Sequence, residues 1–257
     1  MNLNNLHDSR VVSLPKQEQG LAWLIERGPL VADPPLPAWM LKALVSERRV
    51  LRLRRGLYLV PDESGRLLSL AATINTVDPD GYVTGHGALM LHGLNDQDIS
   101  HWWSLTSRRQ SDIRYGPFHV HFVVSPENAK AGRRATLTAD GDQVRVATVT
   151  QAILDEVRFM PDGLDWVETA RVLRNALEDR KTSEHQIVAL LRARPSIAVA
   201  RRLGLLLELV QSKTNPDLLA IARKNDDLTR LAGGIVSDKT WRLSLPLSRD
   251  RMLRAIQ

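Results

Sequence analysis

Apolar residues along the chain alternate between a spacing near 3.6 and a spacing of two, so the pattern predicts a mixture of helices and strands. Over residues 16–27, Leu21, Leu24 and Ile25 recur at helical spacing, with Pro15 placed to open a helix and Gly28 to close it. Residues 29–35 hold three prolines. Proline cannot donate a backbone hydrogen bond and pushes its predecessor toward extended backbone, so this segment predicts a turn or a very short helix. Residues 37–49 predict a second helix, because Met40, Leu41, Leu44 and Val45 share one face while Trp39, Lys42, Ser46 and Arg49 fall on the opposite one. In residues 50–61, Leu51 and Leu53 alternate with Arg52 and Arg54, Arg55-Gly56 interrupts, and an apolar run resumes at Leu57. That is the pattern of a β-hairpin turning at glycine.

Beyond a polar connector at 62–66, residues 67–77 and 85–91 have helical spacing, whereas 102–106, 118–124 and 144–149 have strand character. From 152 the spacing is helical again, through 152–157, 166–178, 183–193 and 197–211, with a last strand at 241–245. The whole predicts an α+β protein in three parts: a flexible arm at 1–14, a small domain at 15–66, and a larger mixed domain at 67–257 whose C-terminal part is helical.

Composition narrows the function. Of 257 residues, 43% are hydrophobic and 25% charged, the balance of a globular chain with a true core. Cysteine is absent, which removes disulfides and thiolate chemistry. No run resembles a signal peptide or a membrane span, so the expectation is a cytoplasmic protein without a membrane partner. The net charge of +6 is concentrated. Between residues 42 and 58, Lys42, Arg48, Arg49, Arg52, Arg54 and Arg55 face one acid, Glu47.

Two helices followed by a basic hairpin are what a winged helix-turn-helix requires. Its second helix presents outward side chains to base edges in the major groove, and its wing offers guanidinium groups to phosphates. Trp39, Lys42, Ser46 and Arg49 are the groove-facing candidates, Arg52, Arg54 and Arg55 the phosphate candidates, with Tyr58 grouped beside them and Gly56 at the wing turn. Taken alone, an arginine-rich hairpin also reads as a solvated edge that discourages strand pairing between molecules. The order of elements favours double-stranded DNA as the partner.

The run 44–60, with its basic stretch, glycine turn and Tyr58, resembles the end of the N-terminal domain of AbiEi-type antitoxins from type IV toxin-antitoxin systems. The resemblance continues at 83–94, where Gly85, His86, Gly87, His92 and Gly93 stand, and more weakly at 146–155 and 201–209. It implies a transcriptional autorepressor that binds operator DNA and opposes a nucleotidyltransferase toxin without a stable complex, with no enzyme activity of its own. The chain departs from the family at 29–35, where the middle helix of the DNA-binding domain is shortened.

Other chemistry is thinly represented. His86 and His92 do not share a helix face and read as structural. His119 and His121 point to one face of a strand, but a pair without cysteine or nearby carboxylates predicts packing or solvent contact, so no metal or cofactor is expected. Asp140 and Asp142 bracket Gly141 as a hairpin turn, and Asp155 and Glu156 read as the polar face of a helix. The spacing of acids and lysine that a metal-dependent nuclease uses is not found. A ligand-responsive repressor stays open as the alternative, and a DNA-processing nuclease as the more remote one.

Overall fold

The computed structural model describes residues 16–95, 100–127, 132, 134–159, 165–231, 234 and 236–256. The arm expected at 1–14 lies outside them. The protein has the α+β class that the sequence predicts, with three sheets and interleaved helices among the described residues. None of those helices is long and apolar enough to cross a membrane.

The chain divides into two compact units, the first comprising residues 16–68 with Arg114–Gly116 and the second the remainder. In the first, α1 (Lys16–Ile25) is followed by β1 (Leu30–Ala32), α2 (Ala38–Ser46), β2 (Leu51–Arg54) and β3 (Leu57–Leu59). The strands form an antiparallel sheet in the order β1-β3-β2. Leu21 and Leu24 of α1, Met40 and Leu44 of α2, and Val31, Val50, Tyr58 and Val60 make one core. Gly20 lets the two helices close, because a Cβ there would stand 2.3 Å from Met40 Sδ.

The proline segment corrects the sequence reading, since its start is a strand rather than a turn or a helix. Leu30, Val31 and Ala32 pair with Leu59, Tyr58 and Leu57, and the Pro29 carbonyl accepts from Val60 N at 2.8 Å. Pro29 lies before the strand and Pro34, Pro35 and Pro37 after it, so no ladder bond is lost. Helix α2 is also shorter than predicted. Arg48 takes a left-handed φ of 59°, and Arg49 N folds back to the Leu44 carbonyl at 2.9 Å, which ends the helix in a Schellman-type turn.

The second unit is built on a six-stranded mixed sheet ordered β6-β7-β5-β4-β9-β8. Helix α3 (Leu70–Val77) leads into β4 (Tyr82–Thr84) and α4 (Gly85–Leu91), then β5 (His101–Thr106), β6 (Ile113–Tyr115), β7 (Phe118–Val124), β8 (Arg134–Ala139) and β9 (Asp142–Ala147) follow. The short strands β4 and β6, and β8 with its threonines and single leucine, lack the apolar alternation that would have announced them. Asp140 and Gly141, both at positive φ, turn β8 into β9 as expected.

Helices α5 (Val149–Phe159), α6 (Trp166–Glu178), α7 (Glu184–Ala193), α8 (Ile197–Gln211) and α9 (Pro216–Ala222) come next. The strand expected to run to Val149 stops at Ala147, and Val149 already opens α5. Asp165, Ser183, Ser196 and Asn215 cap four of these helices by accepting from backbone N–H groups one turn in. The chain ends in a small sheet, β10 (Thr229–Arg230), β11 (Val236–Asp238) and β12 (Leu243–Leu245), and in α10 (Arg249–Ile256). Arg201, buried on α8, donates to the carbonyls of Ala222, Asn225 and Asp227 and thereby satisfies the chain as it leaves α9.

Candidate nucleic-acid interface

Helix α2 forms because Ala, Leu, Met and Lys dominate it and Pro37 sets its start, with the Pro37 carbonyl accepting from Met40 N at 2.9 Å. Met40 and Leu44 are buried and Leu41 and Val45 half-buried, which turns the opposite face outward. Trp39 on that face is 58% exposed, and Lys42 and Ser46 are exposed with it. An exposed indole presents a large apolar face beside these polar side chains. The Ser46 hydroxyl donates to the Ala43 carbonyl at 2.8 Å, which leaves its lone pairs for a partner.

The hairpin is pinned at its turn. Gly56 has a φ of 74°, and an added Cβ would stand 2.1 Å from Asp33 Oδ1. Asp33 N in turn donates to the Gly56 carbonyl at 2.6 Å, so the end of β1 clamps the β2–β3 turn. Arg52 pairs with Tyr58 and Arg54 with Leu57, and the shift between them is a bulge that leaves Leu53 unpaired and buries it. Arg52 and Arg55 are exposed and form no ion pair among the described residues, and neither does Lys42. Arg54 is half-buried and engaged.

Two of the residues singled out from sequence have other work. Arg49 does not face outward with Trp39 and Lys42. It donates to both carboxylate oxygens of Glu18 at 2.5 and 2.8 Å, because the turn at Arg48 swings it off the helix line. That hydrogen-bonded pair holds the Glu18 carboxyl below its ordinary range and raises the Arg49 guanidinium above its own. Glu18, 31 positions earlier, carried no signal in the sequence. Tyr58 is a core residue, 8% exposed, packed among Leu21, Leu24 and Leu44.

The residues weighed for metal or nuclease chemistry separate into structural roles in the second unit. His92 Nε2 meets the Ala147 carbonyl at 2.8 Å. His86 Nδ1 pairs with Glu156 at 2.9 Å, and Glu156 also accepts from His86 N. Burial opposes the His86 imidazolium, but Glu156 outweighs it and raises the histidine. Asp155 and Glu156 are not a solvated helix face, since both are buried in α5. Asp155 accepts from Thr84 Oγ1 at 2.8 Å, Tyr82 Oη at 3.2 Å and Gln151 Nε2 at 2.7 Å. Burial pushes its carboxyl up to about 6, against those three donors. Asp142 is buried too, and accepts from Ser69 N at 2.8 Å ahead of α3.

No family model and no curated protein matches this chain. Among solved structures, its fold is similar to that of the RV2827C protein from Mycobacterium tuberculosis, with a TM-score of 0.60, 14% sequence identity and 95% of each chain covered. A likeness at that identity is one of fold.

Proposed function

We propose that this protein binds double-stranded DNA through its N-terminal unit and acts as a transcriptional autorepressor. The observation that carries the reading is the exposed face of α2, with Trp39, Lys42 and Ser46, in the same small unit as a clamped hairpin whose Arg52 and Arg55 stand in water unpaired by acids. Such a surface lets a helix face reach base edges while the hairpin meets the phosphates beside them. Arg54 adds charge to the hairpin, and Arg49 serves the scaffold through Glu18. The further reading of an antitoxin that opposes a nucleotidyltransferase toxin rests on the resemblance of residues 44–60 and 83–94 to AbiEi antitoxins, and assigns that role to the second unit.

The test is binding of the full chain to a labelled duplex from the region upstream of its own coding sequence, measured against salt. Each phosphate contact contributes about one to the slope of log affinity on log salt. Replacing Arg52, Arg54 and Arg55 with alanine is expected to lower that slope by two to three, roughly one for each contact. An unchanged slope sinks the wing assignment. Trp39→Ala is expected to reduce preference for the upstream duplex over a scrambled one.

A further inference from the structure

A helix face that meets base edges recognises only what its side chains can donate to, accept from or cover. Ala38, Trp39, Lys42 and Ser46 are the exposed residues of α2. They offer a methyl group, an indole, an ammonium and a hydroxyl, with no amide and no carboxylate among them. Glu47, just past the helix, is turned to α1, where its Oε1 accepts from Gln17 Nε2 at 3.0 Å.

Each base shows the major groove its own pattern. Adenine suits an amide that accepts from N6 and donates to N7, and cytosine suits an acceptor facing N4. The outward face of α2 has no amide, and its one side-chain acceptor is the Ser46 hydroxyl, whose proton goes to the Ala43 carbonyl. Guanine presents two acceptors, N7 and O6, which suit an ammonium that donates and cannot accept. Thymine presents a 5-methyl group, whose burial against an apolar surface is favourable. Lys42 matches the guanine edge. Trp39 matches the thymine edge, with Ala38 beside it and an indole N–H that thymine O4 can accept.

We infer that α2 reads a thymine 5-methyl group through Trp39 and a guanine through Lys42, so that these two residues set the sequence preference of the proposed DNA surface. The inference rests on the DNA-binding reading and adds to it which bases are read. Trp39 and Lys42 stand about 4.5 Å apart along the helix axis. A strand of duplex DNA advances about 3.4 Å per base, so the thymine and the guanine lie one or two steps apart. Arg52 and Arg55 add affinity for the backbone that does not depend on sequence.

The test uses the full chain and the duplex from upstream of its own coding sequence in three forms: unmodified, with deoxyuridine for every thymidine, and with 7-deazaguanine for every guanine. The first replacement removes only the methyl groups and the second removes the N7 acceptor. The parent protein is expected to bind the uracil duplex about fourfold more weakly for each methyl contacted, the worth of one buried methyl group, with its salt slope unchanged. Trp39→Ala is expected to bind the thymine and uracil duplexes equally, and Lys42→Ala to lose the penalty for 7-deazaguanine. Circular dichroism checks that both variants, at exposed positions, keep the fold. Equal binding of the two duplexes by the parent, or a full uracil penalty in Trp39→Ala, overturns the thymine assignment while salt-dependent binding stands. The corresponding results with 7-deazaguanine and Lys42→Ala overturn the guanine assignment. Failure of every duplex to bind overturns the DNA reading and the inference with it, and self-association that Trp39→Ala removes assigns the indole to a contact between copies of the chain.

Discussion

Arg49 and Glu18 are joined by two hydrogen bonds of 2.5 and 2.8 Å, which tie the end of α2 back to α1. The pair is partly exposed, so salt screens it and its contribution to folding is small. Its consequence is electrostatic, since it withdraws one cation from the surface proposed to meet phosphates. Arg49→Ala is expected to leave the salt slope of DNA binding unchanged, whereas Arg52→Ala lowers it by about one. Glu18→Gln, which frees the Arg49 guanidinium, is expected to tighten binding severalfold at low salt. A loss of slope in Arg49→Ala equal to that in Arg52→Ala would return Arg49 to the interface.

Gly56→Ala meets two obstacles at once. The residue needs φ of 74°, where an L side chain costs about 1–2 kcal/mol, and its Cβ would collide with Asp33 Oδ1. Asp33 yields by turning its exposed carboxylate away from the β2–β3 turn. The variant is expected to lose about 2 kcal/mol in urea unfolding and to bind DNA more weakly than its stability alone explains. Gly65→Ala, at φ of 83° with open space around it, should show the backbone cost without the second effect.

Gly204 of α8 lies against the Trp241 ring, so closely that a Cβ would stand 2.1 Å from Cζ3 and 2.2 Å from Cη2. Trp241 is fully buried and donates from Nε1 to Glu208 Oε2 at 2.7 Å, and Glu208 also receives Arg249, which binds Asp238 as well. The ring cannot move without disturbing this lock on α10. Gly204→Ala is expected to destabilise by about 1–3 kcal/mol. Because the benzo ring is the obstacle, combining it with Trp241→Phe should be less harmful than the sum of the two changes. Strict additivity in denaturant melts would show that the glycine serves something other than the indole.

Stability should decline as the solution is made alkaline from pH 4. Asp155 is held at about 6 in the folded chain, above its ordinary 3.8, so the native state keeps a proton that the unfolded state has lost. Stability from this group is complete below about 4, is lost between about 4 and 6, and amounts to roughly 3 kcal/mol. His86 is also raised, so its contribution is complete below the unfolded value of 6.5 and is lost as pH passes the folded value. Asp155→Asn carries no charge to bury. Its stability relative to the parent is expected to rise between pH 4 and pH 7 by as much as about 3 kcal/mol, and a constant difference across that range would remove Asp155 as the cause.

Local pattern alone reached α4, α6, α8 and β7 to the residue and placed the basic hairpin correctly. Such elements carry their own apolar periodicity, and the physics that forms them is short-ranged. The strand at Leu30–Ala32 was not legible because its partner is β3, nearly thirty positions later, and proline neighbours masked its extended pattern. The buried acids of α5 were misread for a related reason. A carboxylate in sequence looks solvated until Tyr82, Thr84, Gln151 and His86 are seen around it.

The sequence by itself determined the α+β class, the concentration of cations at residues 42–55 and the outward stripe that begins at Trp39, because charge and periodicity are properties of neighbours in the chain. Which of those cations are available was settled only in three dimensions, where Glu18 takes Arg49 and the bulge at Leu53 sets Arg52 and Arg54 apart. The cluster of His101, His119 and His121 is likewise a product of strand register, since the first meets the other two only when β5 lies alongside β7. Contacts between residues far apart in the chain depend on how elements pack, and no local pattern encodes that.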